Sequence, residues 1–109
     1  MKKWIVLLFA VTASFLMLTD SAAAKQVKIG TVLDLSGALK DWGPHHRNAV
    51  ILAFDQMAGA GFPVTLVHED SQSAAEPAIE AAKRLIEVEQ VDAIIGSASS
   101  GVIVPLAET

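Results

Sequence analysis

From Lys25 onward, short apolar runs alternate along the chain with longer segments of helical periodicity. Each run contains β-branched side chains and ends at Gly, Asp or Ser, which is typical of a buried strand followed by a turn. The pattern therefore predicts three strands, at residues 27–33, 63–68 and 92–95.

The segments between the runs have apolar residues at three- and four-residue spacing, which predicts helices. The first helix should begin near Pro44, because proline is tolerated in a first helical turn, and end at the glycines of residues 59–61. A third helix is predicted from Val102 onward. The apolar face of the first helix is expected to consist of Ala49, Val50, Ala53, Phe54 and Met57.

The second helix has a start signal of its own. Ser73 and Glu76 have the Ser-x-x-Glu spacing of a capping box, in which each side chain satisfies a backbone N–H that the helix leaves free. Small side chains on the apolar stripe allow this helix to lie close to a sheet. The stripe is predicted to consist of Ala78, Ala81, Ala82, Leu85 and Ile86.

The element order β-α-β-α-β-α decides the fold class. Strands separated by single helices cannot pair as hairpins, so we expect an α/β fold with a doubly wound parallel sheet and right-handed crossovers. The expected strand order is 2-1-3, which places a switch point between the first and third strands. There the loops 34–42 and 96–101 should face each other across a crevice. The Ser- and Gly-rich loop 96–101 is either a ligand site or a plain connection between a strand and a helix.

The N-terminus has the three-part form of a secretory signal peptide. Met1-Lys2-Lys3 is basic, residues 4–18 are almost wholly apolar, and small residues at positions 21–24 suit signal peptidase. The apolar stretch is shorter than the about 20 residues that span a bilayer, although a retained anchor is the alternative. We expect a signal peptide at residues 1–24 and a mature chain from Lys25.

Composition excludes several classes of protein. Residues 1–24 hold two of the eight Lys and Arg and one of the twelve Asp and Glu, so residues 25–109 carry six basic and eleven acidic side chains, a net charge of −5. An acidic chain is a poor partner for nucleic acid. The absence of Cys excludes disulfides and lipid attachment to a thiol. The expected product is a free, soluble protein outside the cytoplasmic membrane.

No catalytic or metal motif is complete. His45-His46 with Asp41, and the run 68–70, lack the spacing of metal ligands on a helix, so their side chains are expected to be solvated. Loop 96–101 has no Lys where a phosphate loop needs one, and its serines have no Gly-x-Ser-x-Gly elbow. We therefore expect no enzyme activity and no cofactor.

The motifs in their order resemble the periplasmic substrate-binding proteins of branched-chain amino acid transporters, the type I or leucine-binding-protein-like receptors. The resemblance implies a two-lobed clamshell that captures an amino acid or small amide and delivers it to an ABC permease. Residues 25–109 would be the N-terminal part of its first lobe. The segments that carry the resemblance are 28–37 (KIGTVLDLSG), 41–43 (DWG), 64–70 (VTLVHED), 92–96 (DAIIG), 99–100 (SS) and Pro105.

The resemblance also implies ligand contacts. Its pattern places the hydroxyl that holds a ligand carboxylate at Ser100, with Ser99 before it, and the aromatic of the first loop at Trp42. Trp42 could instead be a packing residue. The family's partner for the ligand ammonium lies in the second lobe. Two other functions on the same fold stay open, a ligand sensor and an exported enzyme.

Overall fold

The structure is a computed structural model that describes residues 26–109, so the expected signal peptide at residues 1–24 lies outside the described residues. Within this part of the chain, the order of strands and helices is the predicted one. No helix in residues 26–109 combines the length and apolar composition needed to cross a bilayer. The elements are β1 (Val27–Leu33), a 3₁₀ turn (Gly37–Leu39), α1 (Gly43–Gly59), β2 (Val64–Asp70), α2 (Ala75–Glu87), β3 (Ala93–Ile95) and α3 (Ser100–Ala107).

The three strands form a parallel sheet in the order β2-β1-β3, as predicted. β1 pairs with β2 along its whole length, from Val27 opposite Val64 to Leu33 opposite Asp70. The start of β3 is tied to β1 by backbone and side chain, since the Asp92 amide donates to the Lys28 carbonyl at 2.7 Å. The Lys28 ammonium also lies 2.6 Å from the Glu89 carboxylate. These contacts secure the short third strand against the central one.

Helix α2 packs on one face of the sheet and forms the core with it. Leu85 is 0% exposed and lies over Gly30, whose missing side chain makes room for the leucine. Ile86 was predicted to share this buried stripe, and that prediction is wrong, because its side chain is 55% exposed. It stands one position beyond Leu85 and borders a separate apolar cleft of about 260 Å³. The buried core consists of Val32, Ala78, Ala81, Ala82, Leu85 and Val102.

Helix α1 covers the opposite face only in part. Val50 and Phe54 of its predicted apolar face are half-buried, but Ala49, Ala53 and Met57 are exposed, so that face prediction is wrong for three of five positions. An apolar cleft of about 630 Å³ remains between the end of this helix and the start of the sheet. The periodicity identified the apolar side of the helix but not how much of that side the sheet covers.

The predicted capping box does not form. Helix α2 begins at Ala75 with Ala74 as its N-cap, and no side chain caps it. The Ser73 hydroxyl instead donates to the Ser36 carbonyl at 2.8 Å and accepts the Leu39 amide at 3.0 Å. A tertiary contact between two loops has therefore replaced the local cap.

Helix α3 begins at Ser100, two residues earlier than predicted. The Ser99 carbonyl already accepts the amides of Val102 and Ile103, at 3.1 and 2.8 Å. The first helical turn therefore starts directly after Ser99, so the free amides of this turn lie at the end of the predicted loop 96–101.

A histidine lies in the sheet beneath α1. His68 of β2 stands opposite Thr31 of β1, and its Nδ1 lies 2.7 Å from the threonine Oγ1. Burial and, next, the positive charge of Arg47 lower the pKa of His68 from its usual 6.5. The fold thus disfavours the protonated imidazole.

We expect mild acid to destabilise the protein through His68. Because the folded-state pKa is lowered, the unfolded chain binds more protons, so this stabilising contribution is present above pH 6.5 and is lost as pH falls through the folded-state pKa. Urea denaturation of the full-length protein between pH 7.5 and 5 should give a smaller loss of unfolding free energy in His68→Gln than in wild type. His45→Gln, which removes an exposed histidine, is the control. Equal pH dependence in all three proteins would contradict the assignment.

Candidate functional site

Three loops meet at the carboxyl edge of the sheet, the edge at which parallel α/β proteins bind ligands. The first follows β1 from Asp34, the second follows β2 from Ser71, and the third follows β3 from Gly96. The first and third are the loops predicted to face each other at the switch point. The structure shows that the loop after β2 also belongs to this arrangement.

Asp34 joins all three loops. Its side chain is 1% exposed, and each carboxylate oxygen accepts one serine hydroxyl. Oδ1 accepts from Ser71 Oγ and Oδ2 accepts from Ser97 Oγ, both at 2.6 Å. A buried carboxylate needs such donors, because leaving its oxygens unpaired costs about 1–3 kcal/mol or more. The end of β1 is therefore bonded to the ends of both neighbouring strands.

The two serine partners of Asp34 have the same local geometry. Ser71 Oγ accepts the amide of Ser73 at 3.1 Å, and Ser97 Oγ accepts the amide of Ser99 at 3.0 Å. Each hydroxyl thus donates to the carboxylate and accepts from the backbone two residues later, which is a common way for serine to fix a turn. Asp34 therefore bonds the first serine of a Ser-x-Ser segment after each outer strand.

A second acid, Asp70, fixes the first loop. Its Oδ1 accepts the amides of Leu35, Ser36 and Gln72 at 2.8–3.1 Å, and its Oδ2 accepts the Ser36 hydroxyl at 2.6 Å. Burial would raise the pKa of Asp70, but these bonds from Ser36, Gln72 and Leu35 together lower it below its usual 3.8. Asp70 stays ionised above that pH and holds the loop after β1 against the loop after β2.

Trp42 lies at the N-terminus of α1, on the edge where the loops meet. Its backbone amide donates to the Leu39 carbonyl at 2.9 Å, and its own carbonyl accepts the amides of His45 and His46. The side chain is 64% exposed. The backbone of Trp42 therefore builds the start of the helix, while most of its ring is accessible.

Ser99 and Ser100 lie at the N-terminus of α3. Ser99 is the N-cap without a side-chain capping bond, and Ser100 is the first helical residue. Among residues 26–109, neither hydroxyl has a hydrogen-bond partner, and neither do the amides of Ser100 and Gly101. A Cβ at Gly101 would meet only Ser99 Oγ, at 3.8 Å, so space is open beside these groups. Four free donors at one helix N-terminus form an arrangement that suits an anion.

An apolar cleft of about 300 Å³ lies beside the third loop. Its walls include Leu33, Val50 and Ile95 together with the stretch 96–98 that leads into Ser99. Trp42, Ser99 and Ser100 are not among its lining residues, and no hydrogen bond in the described chain joins Trp42 to either serine. The three residues thus share one edge of the sheet without direct bonding.

The two histidines of α1 differ from each other. His45 is exposed, as expected for a solvated side chain, but His46 is half-buried and lines the cleft, so the expectation for His46 is wrong. Helical geometry explains the difference, because adjacent residues point about 100° apart. Within residues 26–109, no three His, Asp or Glu side chains form a group that could hold a metal.

Sequence reasoning missed the residues that organise the site. The sequence pattern indicates only a turn at Asp34 and only a loop of small residues at Ser97. A signal was present, because an acid ends the first strand and Ser-x-Ser follows each of the other two. Ser71 lies 37 residues and Ser97 lies 63 residues from Asp34 along the chain, so the spacing within any one motif could not reveal the pairing.

Comparison with known proteins gives a family and related structures. The sequence profile of the family described as periplasmic binding protein matches residues 26–109. No protein among those with curated descriptions matches the chain.

Solved structures similar to this chain include two transport proteins. One is the branched-chain amino acid transporter substrate-binding protein LivJ from Streptococcus pneumoniae in complex with isoleucine, with 27% identity and a TM-score of 0.72 over 77% of this chain and 25% of that one. The other is a Silicibacter pomeroyi protein described as a branched-chain amino acid ABC transporter, with 26% identity and a TM-score of 0.64 over 71% of this chain and 22% of that one. The chain therefore spans about a quarter of the length of these structures.

Proposed function

Because the chain belongs to the periplasmic binding protein family, we propose that it is the N-terminal part of a solute-binding protein for amino acid uptake. It captures an amino acid, with a branched-chain amino acid or related small amide as the expected class, and delivers it to an ABC permease. Residues 25–109 form part of the first lobe of a two-lobed clamshell. The role is binding without chemical conversion, in keeping with the substrate-binding relatives.

The observation that carries this proposal is the set of free donors after β3. The hydroxyl of Ser100 and the amides of Ser100 and Gly101 have no partner within the described residues. They lie where the family resemblance places the group that holds a ligand carboxylate. A relative of similar fold is known in complex with isoleucine, which carries such a carboxylate. Hydrogen bonds to an ionised acceptor are about twice as strong as neutral ones.

Trp42 supplies the apolar contact in this proposal. Its exposed ring stands at the N-terminus of α1, on the same edge of the sheet as the serines. An aromatic face of this kind covers an aliphatic side chain and loses solvent-exposed apolar area when it does so. Ser99, with its hydroxyl also unpaired, is the second polar contact.

Export completes the proposal. Residues 1–24 are a signal peptide with cleavage after Ala24, so that the mature chain from Lys25 works in the periplasm. The basic start, the apolar centre and the small residues before the cut support this proposal.

We expect Ser100→Ala in the full-length protein to weaken isoleucine binding by about 1.5–3 kcal/mol, or roughly tenfold to a hundredfold, because it removes a donor to a buried charge. The free energy of unfolding should hardly change, since the hydroxyl has no partner within the described residues. Calorimetric titration with isoleucine, leucine and acetamide measures the effect and the ligand class.

The control for this experiment is His45→Ala, which removes an exposed side chain from another element of the same edge. It should bind isoleucine like wild type. Unchanged affinity in Ser100→Ala would refute the carboxylate assignment, and equal losses in both variants would move the site away from α3.

A further inference from the structure

Asp34 is hydrogen-bonded to loop 96–101 through Ser97, yet burial keeps its carboxylate out of reach of a ligand. Both of its oxygens are taken by serine hydroxyls, one after β2 and one after β3. Its side chain is almost wholly inaccessible. The side chain of Asp34 is joined to the neighbouring loops through Ser71 and Ser97.

The hydrogen bond from Ser97 connects Asp34 to the free donors at the N-terminus of α3. A serine hydroxyl has one proton, and Ser97 uses it to donate a hydrogen bond to Asp34. The lone pairs of Ser97 Oγ are therefore left to accept the amide of Ser99. With its amide bonded, Ser99 adopts an extended backbone (φ −82°, ψ 122°), and its carbonyl begins α3. The next amides along the chain are those of Ser100 and Gly101.

We propose that Asp34 is a positioning residue for the ligand carboxylate. Through the Ser97 hydroxyl it occupies the amide of Ser99 and sets the start of α3, so that the amides of Ser100 and Gly101 and the Ser100 hydroxyl converge on the ligand. This inference rests on the proposed function. Asp34 itself does not touch the ligand, which keeps two like charges apart.

The second path from Asp34 provides a matched control. Ser71 makes the same bond to the same carboxylate at the same length, and its Oγ also accepts an amide two residues later. Its loop leads into α2, however, and carries none of the proposed ligand contacts. A purely structural role for Asp34 would make Ser71→Ala and Ser97→Ala equivalent in binding.

The experiment compares isoleucine with isoleucinamide, which lacks the carboxylate charge, by calorimetric titration of the full-length protein. Ser97→Ala should lower the affinity for isoleucine roughly three- to tenfold and reduce the preference for isoleucine over isoleucinamide. Ser97→Thr, which keeps the hydroxyl, should restore both. Ser71→Ala should lower the melting temperature and reduce the affinity for isoleucine less than Ser97→Ala does.

Asp34→Asn tests the carboxylate itself and should also reduce the preference for isoleucine over isoleucinamide. When it is combined with Ser97→Ala, the double variant should lose little more, because both changes break the bond between Asp34 and Ser97. If Asp34→Asn does not fold, the two serine variants decide. Equal preferences in Ser97→Ala and wild type, while Ser100→Ala weakens binding, would overturn the positioning role and leave the proposed function standing. A wild-type protein that binds no amino acid would overturn the proposed function itself.

Discussion

Leu85→Ala is expected to lower the free energy of unfolding by about 2–5 kcal/mol, the usual cost of removing a buried leucine side chain. Leu85 is fully buried, and its neighbours Ala78, Ala81 and Ala82 are too small to fill the space that the truncation would leave. Ile86→Ala, on the exposed neighbour in the same helix, should cost much less. Urea denaturation of the full-length protein measures both values, and equal losses would contradict the packing described above.

Gly30 makes this prediction more specific. A Cβ on Gly30 would lie 2.8 Å from Leu85 Cδ1 and 3.0 Å from Cδ2, so Gly30→Ala alone should cost about 1–3 kcal/mol by overpacking. In the double variant Gly30→Ala with Leu85→Ala, the new methyl group enters the space that the leucine has vacated. The double variant should therefore lose less stability than the two single changes together. Additive losses would mean that the two residues do not share one packing site.

The topology of the fold was predictable because it depends on local signals and on one general rule. Apolar runs marked the strands to within two residues at each end, and helical periodicity between them excluded hairpins. Parallel pairing then followed, and the order β2-β1-β3 is the arrangement in which a central strand has crossovers to both sides. None of these steps required knowledge of a particular contact between distant residues.

The polar network at the strand ends could not be predicted in the same way. Ser73 had two possible roles, a local cap for α2 and a bridge to the loop after β1, and the bridge formed. The choice depends on how closely the two loops approach. Gly37 has a positive φ of 79°, and a Cβ there would overlap the Gln72 carbonyl, so the first loop comes very near the second. That approach is a property of the folded chain and has no signature at Ser73.

The candidate site shows the same division. Only the family resemblance assigned Ser99, Ser100 and Trp42 as ligand contacts, and that assignment stays a prediction. The pairing of Asp34 with Ser97 was not predicted, because a serine two residues from another serine in a loop is typical of ordinary turns. Their importance depends on the burial of the acid and on hydroxyls that arrive from separate strands.

Gly43→Ala is expected to disturb both the fold and the site. Gly43 is the first residue of α1 and is buried, and a Cβ there would overlap the backbone carbonyl oxygen of Asp34. Neither backbone segment can move aside as a flexible side chain would, so the start of α1 or the end of β1 must shift. We expect a loss of about 1–3 kcal/mol in unfolding free energy, at the upper end of that range because the obstacle is backbone.

Gly59→Ala is the matched control for Gly43→Ala, since Gly59 ends the same helix and a Cβ there would meet nothing within 4 Å. It should leave stability unchanged or raise it by up to about 1 kcal/mol, because alanine favours helix more than glycine does. Under the proposed function, Gly43→Ala should also weaken isoleucine binding, since the shift displaces Trp42 on one side and Asp34 on the other. Equal stability in the two variants would show that α1 is not seated on the end of β1. If Gly43→Ala loses stability but binds isoleucine like wild type, the contact between α1 and the end of β1 is not part of the ligand site, and Trp42 lies outside that site.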